Sequence, residues 1–414
     1  MNNKAFKQAI KAIKSNPVRT VLTTLGIMIG IATVITVLSA GAGFRSLINN
    51  EVASLGNNTL FIKTRIPPTT KNRASANALT PGIAVGITTF NQRDLNDIKK
   101  LNNVVNDYGM VTGMAVASYR NNSKSAIYYG SSYERFLIDQ HQLSKGRFYT
   151  EAEDSGASQV VILGSGLASN LFLQDDPIGK LVRVGNLNFL VIGVYKSQGG
   201  GDVGPDSGLY VPLKTAQNKM LGINYITVGV VQLNNTNLAD ATAEQIKLTL
   251  MRNHNITDPA KNDFVVVTQA QVLDIYNTIF SGITILLICI ASISLVVGGV
   301  GIMNIMYVVV TERTAEIGLK KALGARSSDI LQEFLIESVL VTILGGIIGI
   351  LFGTFLSWLV AIVARYAGLT WVFTVPLYAI LIAVGVSGTI GLAFGVLPAR
   401  SAAKLDPIEA LRYE

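Results

Sequence analysis

Four uninterrupted apolar blocks constrain this chain more than any other feature. Val21–Phe44, Phe280–Thr311, Ser338–Ala364 and Val375–Ala399 contain no Asp, Glu, Lys, Arg or His. Each is longer than the ~20 residues that carry a helix across ~30 Å of hydrocarbon. A buried helix of a soluble core rarely runs so far without a charge, so the blocks read as four membrane spans. Residues 45–275 have the mixed patterning of a water-exposed domain. That contrast explains a composition that is 49% hydrophobic but only 14% charged, against about 25% charged in ordinary soluble domains.

The basic residues set an orientation. Lys4, Lys7, Lys11, Lys14 and Arg19 precede the first block with no acid among them. Arg313, Lys320, Lys321 and Arg326 lie between blocks two and three, and Arg400, Lys404 and Arg412 follow block four. Basic residues beside spans mark the cytoplasmic side. Both termini and the 312–328 linker are therefore expected inside the cell, with residues 46–276 outside, in a multi-pass protein of the inner or plasma membrane. The net charge of +8 thus belongs to a lipid surface and not to nucleic acid. A cleaved signal peptide has an apolar stretch of only ~7–15 residues, so the first block is read as a retained anchor. Phe6, Ala9, Ile10 and Ile13 recur at helical spacing before it, as in a helix lying in the membrane interface.

The second block is too long for one crossing: its run measures ~48 Å at 1.5 Å per residue. Residues Gln269–Thr278 also read as helix, which predicts an outward stalk. Small residues four apart (Gly26 and Gly30; Ser294 and Gly298; Gly345, Gly349 and Gly353; Gly391 and Gly395) indicate a closely packed bundle. Ionisable groups are absent from the span cores, and such groups usually mark an ion or proton path. A secondary transporter or channel is therefore disfavoured.

The outer region mixes signals of both kinds. Strands are expected at Thr59–Lys63, Tyr108–Tyr119, Val160–Leu163, Leu209–Val211, Tyr225–Gln232 and Phe264–Thr268, with a hairpin at Leu181–Val184 and Leu187–Val194 around Gly185-Asn186. Helices are expected at 91–101, 165–172, 214–221 and 238–253. This defines an α+β domain of two subdomains, one inserted near 145–220, with an extended loop over Pro67 to Ala78. Chemistry is sparse there. Gly199, Gly201 and Gly204 match a G-x-G-x-x-G spacing, but Pro205-Asp206-Ser207-Gly208 supplies a turn where a nucleotide site needs a helix. His141 and His254 are far apart, and the lone Cys289 lies inside an apolar block, so no metal site or intrachain disulfide is read. Glu151, Glu153, Asp154, Asp175 and Asp176 read as solvated turns and caps.

The sharpest signal lies in the inner segments. Glu312, Glu316 and Lys320 follow i,i+4 spacing. Gly324 can end that helix, and Asp329 with Gln332 can cap the next. In the tail, Asp406, Pro407 and Glu409 form an N-cap, N1 and N3 series. A solvated connector remains the plain reading of the linker, and a docking surface the functional one.

At these residues the chain resembles MacB-type permeases of the FtsX-like (type VII) ABC transporter family. TERTAEIGLKKALGAR after the second span and LPARSAAKLDPIEALRYE at the end carry the resemblance. NPVRTVLTTLGIMIGIATVI, GRFYTEAEDSGASQVVILG and DPIGKLVRVGNLNFLVIGVY extend it over most of the chain. It implies an α-helical membrane protein with four transmembrane helices and a large α+β extracytoplasmic domain between the first and second. The expected division is a leader helix (1–20), first span (21–45), periplasmic core domain (46–276) and second span with stalk (277–311). A coupling helix (312–328), third span (329–364), fourth span (375–399) and tail helix (400–414) follow, with an FtsX-like permease domain over about 277–407.

No G-x-x-x-x-G-K-[ST] occurs in these residues, so the resemblance implies that ATP and Mg are bound by a separate, dimeric ABC ATPase and that this chain is not an enzyme. It further implies a second permease copy and a membrane-fusion or adaptor partner. Glu312, Arg313, Glu316, Ile317, Gly318, Lys320, Lys321 and Gly324 are the coupling residues it assigns, and Arg400, Asp406, Pro407, Glu409 and Leu411 the docking tail. The expected function is export or efflux of an antibiotic, peptide or similar compound by transmitted motion. A lipoprotein-releasing permease and an FtsX-like regulator of a cell-wall hydrolase are the alternatives.

Overall fold

A computed structural model of the chain describes residues 17–54, 56, 58–67, 87–197, 205–367 and 369–411. The leader over 1–16, the Pro68 to Ala78 loop and the Gly199, Gly201 and Gly204 triad lie outside the described residues. Two compact units emerge: residues 47–277 with 364–370, and the remaining segments, which hold the apolar blocks.

Helix α1 (Pro17–Ser54) contains the first apolar block. After it comes a ten-stranded sheet: β1 (Thr59–Thr64), β2 (Val104–Tyr119), β3 (Asn122–Ser131), β4 (Leu143–Gly146), β5 (Val160–Leu163), β6 (Leu181–Val184), β7 (Leu187–Tyr195), β8 (Leu209–Pro212), β9 (Val228–Leu233) and β10 (Phe264–Thr268). Their order is β10-β1-β9-β2-β3-β8-β5-β7-β4, with β6 bridging β2 and β7. The segment 143–212 forms one wing of this sheet and joins the other through the parallel β3–β8 pair and the antiparallel β2–β6 pair. Gly185 takes φ +59 at the tip of the β6–β7 hairpin, the positive φ that a two-residue hairpin loop demands.

Helices α2 (Gln92–Ile98), α3 (Ser165–Phe172) and α4 (Ala239–Asn253) belong to this unit. Leu95, Ile98, Leu167, Leu171, Ile246 and Leu250 from these helices join Leu60, Ile62, Val161 and Phe189 from the strands in one buried core. The stretch 214–221, expected as an ordinary helix, is a short α turn followed by a π turn over Ala216–Leu221 that ends at Gly222 with φ +66. The α2 helix stops at Ile98, short of the expected 101.

One acid, Asp154, departs from the solvated role expected of it, and both histidines are held by acids. Asp154 is buried and accepts from the Tyr133 and Lys214 backbone N–H groups at 3.2 Å each. His141 is buried against Asp139. The His254 side chain is enclosed between Asp263 (Nδ1–Oδ1 2.9 Å) and Asp94 (Nε2–Oδ2 3.4 Å).

The other unit contains α5 (Gln269–Glu312), α6 (Thr314–Ala322), α7 (Ser327–Tyr366), α8 (Leu377–Lys404) and α9 (Pro407–Leu411). Helices α1, α5, α7 and α8 are long and apolar enough to cross a membrane. At 44 residues, α5 extends for about 66 Å. The small residues show which helices meet. A Cβ on Gly26 of α1 would lie 2.7 Å from the Gly298 Cα of α5. Gly345, Gly349 and Gly353 of α7 face the α1 backbone at Thr24, Met28 and Ala32. Gly391 and Gly395 of α8 face Thr342 and Ser338 of α7. Backbones that touch this closely exchange the side-chain bulk of lipid-like packing for dispersion contact.

Candidate functional site

The linker between α5 and α7 folds into a compact corner. Glu312 is the last residue of α5, and Arg313 turns the chain into α6. The apolar residue of that first turn points inward: Ile317 is 2% exposed and packs with Ile330, Phe334, Ala399 and Ala402. Gly318 is buried beside it, and a Cβ there would lie 2.8 Å from the Ala410 Cβ of α9. The tail helix can approach α6 only because residue 318 lacks a side chain. Ile317 and Gly318, assigned above to a partner, therefore seat the linker against its own chain.

The basic residues clamp the corner. Lys320 Nζ bonds Glu333 Oε1 of α7 at 2.9 Å and Glu316 Oε1 at 3.2 Å. Burial alone would depress the Lys320 ammonium, but those two carboxylates override it and raise its pKa. Lys321 Nζ donates to the carbonyls of Ala403 (2.6 Å) and Leu405 (2.7 Å) at the end of α8. A cation on these unpaired carbonyls also complements the negative end of the helix dipole. Arg313 Nη1 lies 3.3 Å from Glu337 Oε2 on α7.

Both helix ends are built locally. Gly324 takes φ +95, and Ala325 and Gly324 donate back to the Lys320 and Lys321 carbonyls at 3.0 Å, a Schellman closure. Asp329 caps α7 from the third helical position, accepting from Arg326 N at 3.1 Å. Gln332 takes no part in that cap, because α7 begins at Ser327 and its first turn ends before residue 332. In the tail, Asp406 Oδ1 accepts from Ile408 N at 2.8 Å, with Pro407 opening α9.

Among the assigned residues, Glu312, Glu316, Gly324, Arg400, Asp406, Glu409 and Leu411 are exposed. The sequence reading missed the apolar rim they frame. Leu319 on α6 and Leu323 at its C-cap lie one turn apart, and Ile408 lies on α9; Leu323 is 81% and Ile408 79% exposed. Their i,i+4 spacing beside an inward Ile317 was the available signal. The corner can therefore offer a partner exposed apolar side chains, held by two ion pairs to α7 and two cation–carbonyl bonds at the end of α8.

This architecture defines a multi-pass membrane protein with a large mixed-sheet domain inserted after its first apolar helix. Residues 20–248 match the MacB-like periplasmic core domain, and residues 274–407 match the FtsX-like permease C-terminal domain. The chain belongs to the MacB-like, FtsX-like permease family. It is 35% identical over 412 residues to a macrolide export ATP-binding/permease protein MacB of Wolinella succinogenes, covering 99% of this chain and 61% of that protein. A protein of the same name from Chlorobaculum tepidum is 36% identical over 410 residues, covering 98% and 61%. The chain thus spans about three-fifths of the length of these relatives. The crystal structure of the periplasmic region of MacB from Actinobacillus actinomycetemcomitans is similar at 23% identity with a TM-score of 0.44, covering 56% of this chain and 97% of that one.

Proposed function

We propose that the chain is the permease subunit of a MacB-like ABC transporter. It passes ATP-driven motion from a separate, dimeric ABC ATPase to its sheet domain, and that motion drives export of an antibiotic, a peptide or a similar compound. In this reading the linker and tail are cytoplasmic, the sheet unit lies outside the inner or plasma membrane, and an adaptor of the membrane-fusion type engages it there. ATP and Mg stay with the partner, and no hydrolytic step occurs on this chain's residues.

The observation that carries the reading is the clamped corner. A solvated connector needs no rigid attachment, yet α6 is tied to α7 by Lys320 and Arg313 and to α8 by Lys321. A push on Leu323 or Ile408 would move α5, α7 and α8 as a body. The 44-residue helix α5 then carries the displacement from the linker to the sheet domain. A lever of this kind requires no substrate path through the bundle, in keeping with span cores free of charge.

The test is reconstitution of the chain with its ABC ATPase partner, with Leu323→Asp and Ile408→Asp combined. Each buried leucine-sized side chain contributes about 1.5–3 kcal/mol, so the double variant should co-purify at least about tenfold less ATPase. Its thermal midpoint should equal the parent's, because both side chains are exposed. Parent-like assembly and parent-like permease-dependent ATP hydrolysis would remove the docking role.

A further inference from the structure

Six strands of the sheet close on themselves. β2 pairs β3, β3 pairs β8, β8 pairs β5, β5 pairs β7, β7 pairs β6, and β6 returns to β2 through Ala117–Val184 and Ser118–Arg183. Side chains such as Val111, Val161, Val184 and Phe189 fill the interior of this small barrel, since a ring of so few strands leaves no lumen. Its mouth remains, a position at which barrels hold ligands. Where β2 turns into β3, the end of α3 lies against the turn, and Asn122 Nδ2 donates to the Leu171 carbonyl at 2.9 Å. Between them opens a cleft of about 670 Å³, within the ~300–1,000 Å³ of small-ligand sites.

The cleft has an apolar floor and a charged lip. Leu171 and Phe172 are buried, and Phe172 stacks on Tyr119 with ring centroids 4.1 Å apart. The Arg120 guanidinium lies over the Tyr119 ring at 5.1 Å. Only its Nη1 is engaged, 2.7 Å from Asp175 Oδ2, in a pair whose two side chains are exposed. A permanently charged planar fork with donors to spare suits a carboxylate in two-point contact.

Leu173 is the anomaly. It ends α3 with φ +54 and ψ −98, a conformation that residues with side chains rarely adopt and that glycine usually supplies at a helix end. The chain nevertheless holds a leucine there, 73% exposed on the lip of the cleft. Packing within this chain explains neither the strain nor the exposure, and both suit a leucine that meets a ligand. Gln174 beside it is exposed, and its carboxamide donates and accepts as a peptide group does.

We propose that this cleft binds the carboxyl-terminal end of an apolar peptide. Leu173 and the Tyr119 ring meet the last apolar side chain, Gln174 meets the backbone amide, and Arg120 takes the terminal carboxylate. As a binding event this needs neither ATPase nor ATP; as a step in transport it rests on the export reading.

The test uses the full chain in lipid nanodiscs without ATPase, read against empty nanodiscs. The probes are acetyl-Ala-Leu-Phe as its free acid, the same tripeptide as its amide, and phenylbutanoate, an apolar acid without peptide groups. The free acid should bind about tenfold more tightly than the amide, the size of a charge-assisted contact. Arg120→Ala should erase that difference by weakening the acid alone, with an unchanged thermal midpoint because the pair it breaks is exposed. Leu173→Gly should weaken both peptide forms about tenfold yet raise the midpoint, because glycine relieves the strain; a leucine with a structural role alone would lower the midpoint. Leu248→Asp, exposed on α4, should change neither reading. The proposal is overturned if acid and amide bind alike, if phenylbutanoate matches the tripeptide acid, or if Leu173→Gly binds like the parent or unfolds earlier. Peptide binding that fails while the ATPase still docks would sink this site and leave the coupling corner standing; the opposite result would do the reverse.

Discussion

Arg313 and Glu337 pair across the corner between α5 and α7, with Nη1 3.3 Å from Oε2 and Glu337 only 7% exposed. The acid lies one residue before the third apolar block, so its charge is tolerated only beside the guanidinium. Arg313→Ala strands a buried carboxylate, and breaking such a pair from one side costs about 3–5 kcal/mol. The partial exposure of Arg313 places the expected loss near the lower end. Glu337→Gln removes the charge with its partner still solvated and should lose less. Thermal unfolding in detergent should rank the two variants in that order; the reverse order would show that the pair does not hold the corner.

A second prediction concerns pH. Burial opposes the charge on His254, but hydrogen bonds to Asp263 and Asp94 outweigh it and raise its pKa to about 9. The folded value exceeds the unfolded ~6.5, so the stabilisation is complete below about pH 6.5 and is lost as pH rises through about 9. The shift corresponds to about 3 kcal/mol at most. Amide exchange in the intact protein should accelerate in 239–253 and 264–268 over that window. His254→Ala should abolish the slope, and an unchanged slope would sink the assignment.

Gly318 permits the approach of the tail. Gly318→Leu should expel α9 from α6, because the added Cβ alone would sit 2.8 Å from Ala410 Cβ and 3.4 Å from the Ala410 carbonyl carbon. Gly318→Ala should do so only in part. A cysteine placed at Ala410, buried in the parent, would report this as at least tenfold faster labelling in the Leu variant. Equal labelling in both backgrounds would mean the tail docks by other contacts.

Two arginines of the sheet unit should behave oppositely. Arg135 pairs with Asp139 at 2.9 Å with both side chains buried, and it lies over the Tyr210 ring at 4.8 Å. Arg120 pairs with Asp175 at a shorter 2.7 Å, but the two side chains are 70% and 45% exposed. Arg135→Ala should cost about 3–5 kcal/mol, and Arg120→Ala less than about 1 kcal/mol. Denaturant midpoints that put the two variants level would contradict burial as the deciding factor.

Glycines of the bundle divide in the same way. Gly26→Val drives a side chain into the Gly298 backbone and should cost about 1–3 kcal/mol or more in overpacking. Gly385→Ala, where a Cβ meets nothing within 4 Å, should leave the thermal midpoint unchanged or raise it slightly through helix propensity.

The long apolar helices of this protein are local events, and they were legible. Charge-free runs define α1, α5, α7 and α8 because a lone charge in hydrocarbon is prohibitive, and the excess length of block two anticipated the unbroken α5. Gly185-Asn186 exposed the β6–β7 hairpin because a two-residue hairpin loop demands positive φ, which Gly185 supplies. Strand β3 was invisible: Asn122, Ser123, Lys124 and Ser125 have neither the alternation nor the branching of a strand, yet ten ladder pairs with β2 hold it in place.

Within the docking corner, the charges and caps could be read from spacing, since a capping Asp or a Schellman glycine acts within one turn. Which residues face inward could not. Ile317 is buried because it meets α7 and α8, and Gly318 because α9 returns from the far end of the chain to cover it, while Leu323 and Ile408 stay exposed. The sequence by itself determined the four apolar helices, their basic flanks and the helix ends, all of which follow from solvation and hydrogen bonding over a few residues. The tertiary structure alone decided that Lys321 caps α8 and that Glu337 meets Arg313, because those outcomes depend on contacts between segments tens of residues apart.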